Sequence, residues 1–110
     1  MRQWEIYLFP FREEKPHPAM ILSNEERCVN DDLEYVNALI CTSARLNREA
    51  KKHEVILNAA DGLDWKTAVC CDVIYLLPKA EFRERRGKVS PLRRVAIARK
   101  IVETFRLPMT

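Results

Sequence analysis

Glycine is nearly missing from this chain. Gly62 and Gly87 are the two it has in 110 residues, one marking a turn after Asp61 and the other a tight bend before Lys88. Long apolar runs are missing too. No stretch approaches the roughly 20 residues that a membrane span needs. The opening Met-Arg-Gln-Trp-Glu passes straight into a strand-like pattern, without the apolar centre of a secretion signal. A cytoplasmic protein without a membrane partner is the expectation. Cys-x-x-Cys spacing is absent as well, since Cys28 and Cys41 stand alone and Cys70 and Cys71 are adjacent. Zinc on mixed ligands would need His17 or His53 to converge with these thiols, and the spacing gives that no support. The cysteines therefore read as buried free thiols in a reducing compartment, with no metal and no cofactor expected. A dominant charge of one sign is also lacking: the net charge is +3, too small to decide anything alone.

What is present is a chain of common domain length, read as one domain over residues 1–110, long enough to build a core without staples. Its charges are unevenly placed. Lys79, Arg83, Arg85, Arg86, Lys88, Arg93 and Arg94 crowd one region against Glu81 and Glu84, while acids gather at Glu13-Glu14, Glu25-Glu26 and Asp31-Asp32. Such a run suits a polyanion or an acidic peptide, and equally a solvated face.

Taken in order, Trp4 to Phe9 alternates with the period of a strand, and Pro10 is expected to stop it. Phe11 to Pro18 reads as a charged loop, and Ala19 to Ser23 as a short central strand. Asn24 to Asp32 is turn-rich. Tyr35 to Thr42 and His53 to Leu57 read as strands, with a long loop between them. Thr67 to Leu77 is the longest β-like run, placing Val69, Cys71, Val73, Tyr75 and Leu77 on one face. Ser90 followed by Pro91 is the clearest helix start. From there Leu92, Val95, Ala98, Val102 and Phe105 step by three and four in one apolar stripe, the face expected to pack. The architecture expected is mostly β (α+β): a small twisted barrel of short strands closed by a C-terminal amphipathic helix.

Within this order one stretch stands out, Lys15-Pro-His-Pro-Ala-Met-Ile-Leu-Ser-Asn24. Pro16 and Pro18 each push the preceding residue out of the helical region, so His17 is presented on extended backbone at the mouth of a buried strand. His17 is the leading candidate for chemistry.

Several segments resemble the MazF/PemK family of ribonuclease toxins. Trp4-Glu5-Ile6-Tyr7-Leu8 is similar to the family's opening strand, and Pro18-Ala19-Met20-Ile21-Leu22-Ser23-Asn24 to its Arg-Pro-Ala-x-x-x-Ser segment. Leu39-Ile40-Cys41-Thr42-Ser43 looks like the strand ending in Thr-Ser. Gly62-Leu63 with Ala68-Val69-Cys70-Cys71-Asp72 resembles the Cys-Asp-Gln strand, and Gly87-Lys88-Val89-Ser90-Pro91 the family's close. The resemblance runs from about Gln3 to Arg106. It implies an SH3-like, PemK-type barrel, metal-independent cleavage of single-stranded RNA, a homodimer, and an acidic antitoxin as partner. The chain departs from the pattern: His17 stands where the family usually has an arginine, Cys70 where some members have another, Val73 and Tyr75 stand for the usual glutamine and basic residue, and the loop between the first two strands is shorter.

Metal-free RNA cleavage uses the neighbouring 2′-hydroxyl as nucleophile and needs a base, an acid and donors around a phosphorane that gains negative charge. Histidine fills either proton-transfer role near neutral pH. His17, Thr42 and Asp72 are the catalytic candidates, with Asp72 as a base or as the group orienting His17. Arg12, Lys15 and Ser43 are candidates for holding phosphate. Two alternatives stay open: a non-catalytic module of the same fold that binds nucleic acid or protein, and a gyrase poison of the CcdB type acting through its terminal helix.

Overall fold

The computed structural model describes residues 1–12, 15–42 and 46–109, and of Arg12 the main chain only. The opening alternation forms β1 (Glu5–Arg12), which pairs antiparallel with β2 (Lys15–Ile21). Pro10 does not end β1, and the expected charged loop is largely strand. Pro10 falls where the register shifts between Phe9 and Arg12, and at such an irregularity a missing N–H costs no ladder bond. Pro18 is tolerated for a related reason. It faces Leu8, whose own N–H and C=O turn the other way, to Glu84 O at 3.1 Å and from Arg83 N at 2.8 Å.

Beyond β2 the chain makes a short helix, α1 (Glu25–Val29), capped by the Asn24 side chain accepting from Arg27 N at 2.9 Å. It continues through β3 (Tyr35–Ile40), β4 (Glu54–Leu57) and β5 (Thr67–Cys70), then β6 (Tyr75–Pro78), β7 (Arg85–Lys88) and α2 (Pro91–Phe105). β6, β3, β2, β1 and β7 lie side by side in one sheet, and β4 pairs only with β5 in a second. The two sheets join where β3 runs past its end: Cys41 bridges Val69, and Thr42 N–H donates to Ala68 O at 2.9 Å. The result is mostly β with a C-terminal helix, curled but not closed, so it is a barrel only loosely.

The long run from Thr67 to Leu77 is two strands rather than one. β5 follows β4, and after the bend at Cys71–Ile74 the chain joins β3 instead. Val69 and Cys71 are therefore buried on one face of the large sheet, Leu77 lies on the other, and Val73 and Tyr75 are exposed. The main core sits between the two sheets and α2, around Ile6, Met20, Leu39, Leu57, Val89 and Ile97. Phe9, Ala19, Ala38 and Leu77 form a second cluster on the opposite face, under Phe11 and Phe82.

Helix α2 starts where the Ser-Pro pair predicts, but it packs by another face. Ile97 is wholly buried and Ile101 lies against the core, whereas Leu92 is 86% exposed and Val95 50%. At about 100° per residue, the stripe expected to pack points almost opposite to Ile97. Ser90 makes no side-chain cap. Its N–H donates to the buried Asp61 Oδ1 at 2.9 Å, Asn58 N–H donates to Oδ2 at 3.0 Å, and Arg93 Nη1 lies 3.4 Å from Oδ2. One carboxylate thus ties the 3-10 turn Ala59–Asp61 to the start of the helix. The glycines serve this junction: Gly62 adopts φ 79°, and a Cβ on Gly87 would stand 2.4 Å from Asp61 O. Among the described residues no helix is long and apolar enough to cross a membrane.

Candidate active site

His17 lies on β2 opposite Phe9, half-buried. Its position follows from its neighbour. Ladder pairing of β2 with β3 continues past Ala19–Ile40, with Cys41 N–H donating to Pro18 O at 2.8 Å. In a regular antiparallel pair the opposite residues exchange both bonds, but Pro18 has no N–H to return. The Cys41 carbonyl is left without its ladder donor, and His17 Nδ1 stands 3.4 Å from that oxygen. A carbonyl only accepts, so Nδ1 carries the hydrogen and the neutral ring keeps its lone pair on Nε2.

Around this ring the surface is aromatic. Phe11 meets His17 edge-on with centroids 5.8 Å apart, and Phe11 lies 5.5 Å from Tyr75, itself 37% exposed. Such rings are surfaces on which bases stack. The sequence reading missed Phe11 and Tyr75. The signal for Phe11 is its alternation with Phe9 on β1; nothing local points to Tyr75, which reaches the site only because the chain changes sheets after Cys71. Lys15 is exposed and lies two residues before His17 on the same side of β2, a separation of about 6.6 Å along the strand. Arg12 pairs with Lys15 through the main chain at the hairpin end; its side chain and Ser43 lie outside the described residues.

Thr42 adjoins His17, because the β2–β3 ladder extended by one pair sets the two residues side by side. Its hydroxyl is already engaged. Thr67 Oγ1 donates to Thr42 O at 2.9 Å, which leaves the Thr42 hydroxyl to donate to Thr67 Oγ1 at 2.8 Å, and Ala68 N–H donates to Thr42 Oγ1 at 3.1 Å. Thr42 clamps β3 to β5 rather than presenting a hydrogen to solvent.

Asp72 lies in the bend between β5 and β6, on the edge of β3 opposite to β2. Its Oδ2 faces His53 Nε2 at 3.7 Å, and its side chain is 40% exposed. His53 in turn converges with Cys70: ligand atoms of His53, Glu54 and Cys70 lie within 4.8 Å of one another, a meeting that the sequence spacing does not suggest. Glu54 is held by Arg48 at 2.7 and 3.0 Å. That bond outweighs burial and brings its carboxyl down to about 2. Burial pushes the Cys41 thiol up, and with Cys70 nearby it pushes Cys71 up to about 12, so both are inert thiols.

The basic run is largely consumed inside the molecule. Lys79 Nζ donates to Arg27 O and Asn30 O at 2.6 and 2.8 Å, closing the end of α1. Arg85 pairs with Glu5 at 2.7 Å, and Arg86 lies 5.0 Å over the Trp65 ring beside Glu84 and Asp64. Arg93 bonds Ile56 O and Asp61, and Arg94 bonds Val89 O. Among the described residues only Arg83 and Lys88 of this run lack such a side-chain partner. The run is thus mainly structural.

A curled antiparallel sheet with a terminal helix, carrying a half-buried histidine and an exposed lysine on one hairpin, defines a small β protein with a polar site at the sheet's end. Residues 2–105 match the family described as PemK-like, MazF-like toxin of type II toxin-antitoxin system, and the chain belongs to that family. Among solved structures, a mycobacterial endoribonuclease in complex with its cognate antitoxin superposes with a TM-score of 0.81 at 23% identity, covering 100% of this chain and 99% of that one. The Mycobacterium tuberculosis toxin MazF-mt6 gives 0.76 at 24% identity, covering 96% and 99%. At these identities the likeness establishes the fold. Comparison with curated proteins gives no match.

Proposed function

We propose that this chain is an endoribonuclease toxin that cleaves single-stranded RNA by attack of the 2′-hydroxyl on the adjacent phosphate, without a metal. The observation that carries the reading is the pinned imidazole: with Nδ1 on Cys41 O, the Nε2 lone pair is free to take the 2′-hydroxyl proton. Lys15, on the same side of β2, supplies positive charge to the phosphorane, and Arg12 and Ser43 are further candidates for that task. Phe11 and Tyr75 hold a neighbouring base by stacking. Thr42 supports the site by fixing the end of β3 beside His17. Asp72 acts with His53 and not as the partner of His17. The likeness to an endoribonuclease fold supports this assignment.

The protein acts in the cytoplasm as a homodimer restrained by an acidic antitoxin. The outward apolar face of α2, with Leu92, Val95 and Val102, supports a second copy as one partner. A structural neighbour that is bound to its cognate antitoxin supports the other.

The test is incubation of the protein with a long single-stranded RNA in excess chelator, beside His17→Ala and Lys15→Ala. Selective cleavage leaving cyclic phosphate and 5′-hydroxyl ends, reduced at least 100-fold in His17→Ala and less in Lys15→Ala, is expected. Cleavage undiminished in His17→Ala removes the histidine from the mechanism. Binding without cleavage would instead favour a non-catalytic module, which the absence of an arginine at position 17 already makes the second reading.

A further inference from the structure

We propose that His53, Cys70 and Glu54 form a binding site for a borderline-soft divalent cation, Zn2+ above all, with Asp72 as the carboxylate behind the histidine. The site is separate from the His17 surface and lies on the other edge of β3.

The placement begins with the β4–β5 pairing. Glu54 and Cys70 are directly opposite in register, which in an antiparallel pair sets their Cβ atoms about 5 Å apart. Cys71 N–H donates to His53 O at 2.9 Å, and the turn before β4 is closed by Glu54 N–H to Lys51 O at 3.0 Å. Main-chain bonds thus fix the His53 backbone at the end of the same ladder. The donor atoms of the three side chains lie within 4.8 Å of one another. Around zinc at ordinary bond lengths, tetrahedral ligand atoms are separated by roughly 3.3–3.8 Å, so side-chain rotations of about an ångström close the site.

The ligands are of the right kinds. Thiolate, imidazole and carboxylate together select zinc and its neighbours over magnesium or calcium, which prefer oxygen alone. Cys70 is half-buried, whereas the other cysteines are buried, so it is the thiol a cation can reach. Glu54 keeps a free position despite Arg48: Oε1 accepts from Arg48 Nη1 and Lys51 N, but Oε2 accepts only Arg48 Nη2 among the described residues. A carboxylate oxygen has room for a second partner. His53 presents Nε2 to Asp72 Oδ2 at 3.7 Å, leaving Nδ1 for the metal. A metal-bound imidazole commonly gives its other nitrogen to a carboxylate in this way. Three protein ligands leave a fourth position for water or for a group from a partner.

The experiment adds Co2+ alone to the reduced full-length protein and follows thiolate-to-cobalt charge-transfer absorption, then displaces Co2+ with Zn2+. One equivalent is expected to bind, with the band lost in Cys70→Ser and the affinity lowered at least tenfold in His53→Ala. Asp72→Asn, acting through His53, should weaken binding about tenfold or more while keeping the band. Zinc should also protect Cys70 from thiol labelling. Circular dichroism and thermal unfolding of each variant establish that it is folded. No charge-transfer band in the wild type, or an unchanged band in folded Cys70→Ser, overturns the assignment. Because RNA cleavage in chelator is read separately, failure of the ribonuclease reading leaves this one standing, and the reverse.

Discussion

Truncating Ile97 and Leu92 to alanine separates the two faces of α2. Ile97 is wholly buried in the main core, between β4 and the large sheet. Ile97→Ala removes three carbons and leaves a cavity that this helix, anchored through Ser90 and Arg93 to Asp61, has little freedom to close. Substitutions of this kind cost about 2–5 kcal/mol, with a midpoint of about 3.5. Unfolding entropy for 110 residues is about 0.23 kcal/mol per kelvin at roughly 2.1 cal/mol/K per residue, so Tm should fall by about 15 °C. Leu92 is 86% exposed, so Leu92→Ala removes little buried surface, and alanine is as good a helix former as leucine or better. Its cost should stay under about 0.5 kcal/mol, or 2 °C. The assay is thermal unfolding by circular dichroism at two protein concentrations a hundredfold apart. If a second copy covers the Leu92 face, Leu92→Ala should lower Tm only at the higher concentration, where the dimer forms. A loss in Leu92→Ala as large as in Ile97→Ala at both concentrations would refute the packing described for α2.

Substitutions at three other joints test the rest of the fold. Gly87→Ala places a Cβ against the Asp61 carbonyl, a backbone atom that cannot swing aside; a loss of about 2–4 kcal/mol in urea unfolding is expected, and a loss under 0.5 would contradict the close approach. Thr42→Val removes the hydroxyl between Thr67 and Ala68, which should cost about 1–3 kcal/mol; an equal cost in Thr67→Val and no further loss in the double variant would mark one shared clamp. Glu5 gives the pH dependence. Burial would raise its pKa, but the Tyr7 hydroxyl, the Arg2 N–H and Arg85 together hold it below its usual 4.5. The folded value lies under the unfolded one, so Glu5 adds stability above about pH 4.5 that disappears as pH falls through the folded value. Glu5→Gln should therefore be less stable than wild type at pH 7 and approach it at pH 2–3; a constant difference across that range would show that the ionised form makes no contribution.

Much of this architecture is legible because local signals agree with the final packing. The period of two from Trp4 to Phe9 makes β1, and the Ser90-Pro91 pair opens α2 where it is expected. The failures have physical reasons. Pro10 looks like a stop because a proline breaks a regular ladder, but the ladder is irregular at that point. The run from Thr67 to Leu77 looks continuous because both of its partners ask for apolar residues, and periodicity carries no record of which sheet a strand joins. On α2 the exposed stripe is the longer one in sequence, while the packing face is made by Ile97 and Ile101 flanked by the stems of Arg93 and Arg94, which count as polar in any pattern. Charge runs mislead in the same way, since a guanidinium over Trp65 or against Asp61 is written identically to one in solvent. At the site, the proline-bracketed stretch singles out His17 and foretells its extended backbone. What no linear pattern states is that the missing proline N–H leaves a carbonyl for the imidazole to occupy, or that His53 and Cys70 meet across a ladder.

The contact between His17 and Cys41 has a consequence for how the ring would work through a turnover. Nδ1 bears hydrogen in the neutral imidazole held there and in the imidazolium alike, so the bond to the carbonyl survives both forms. A proton can arrive at Nε2 and depart again while the ring keeps one orientation, like a door that opens on a fixed hinge. Proton exchange at this site therefore requires no rearrangement of the hairpin, and a proline that looks like a defect in the sheet supplies the fixed point about which the chemistry can turn over.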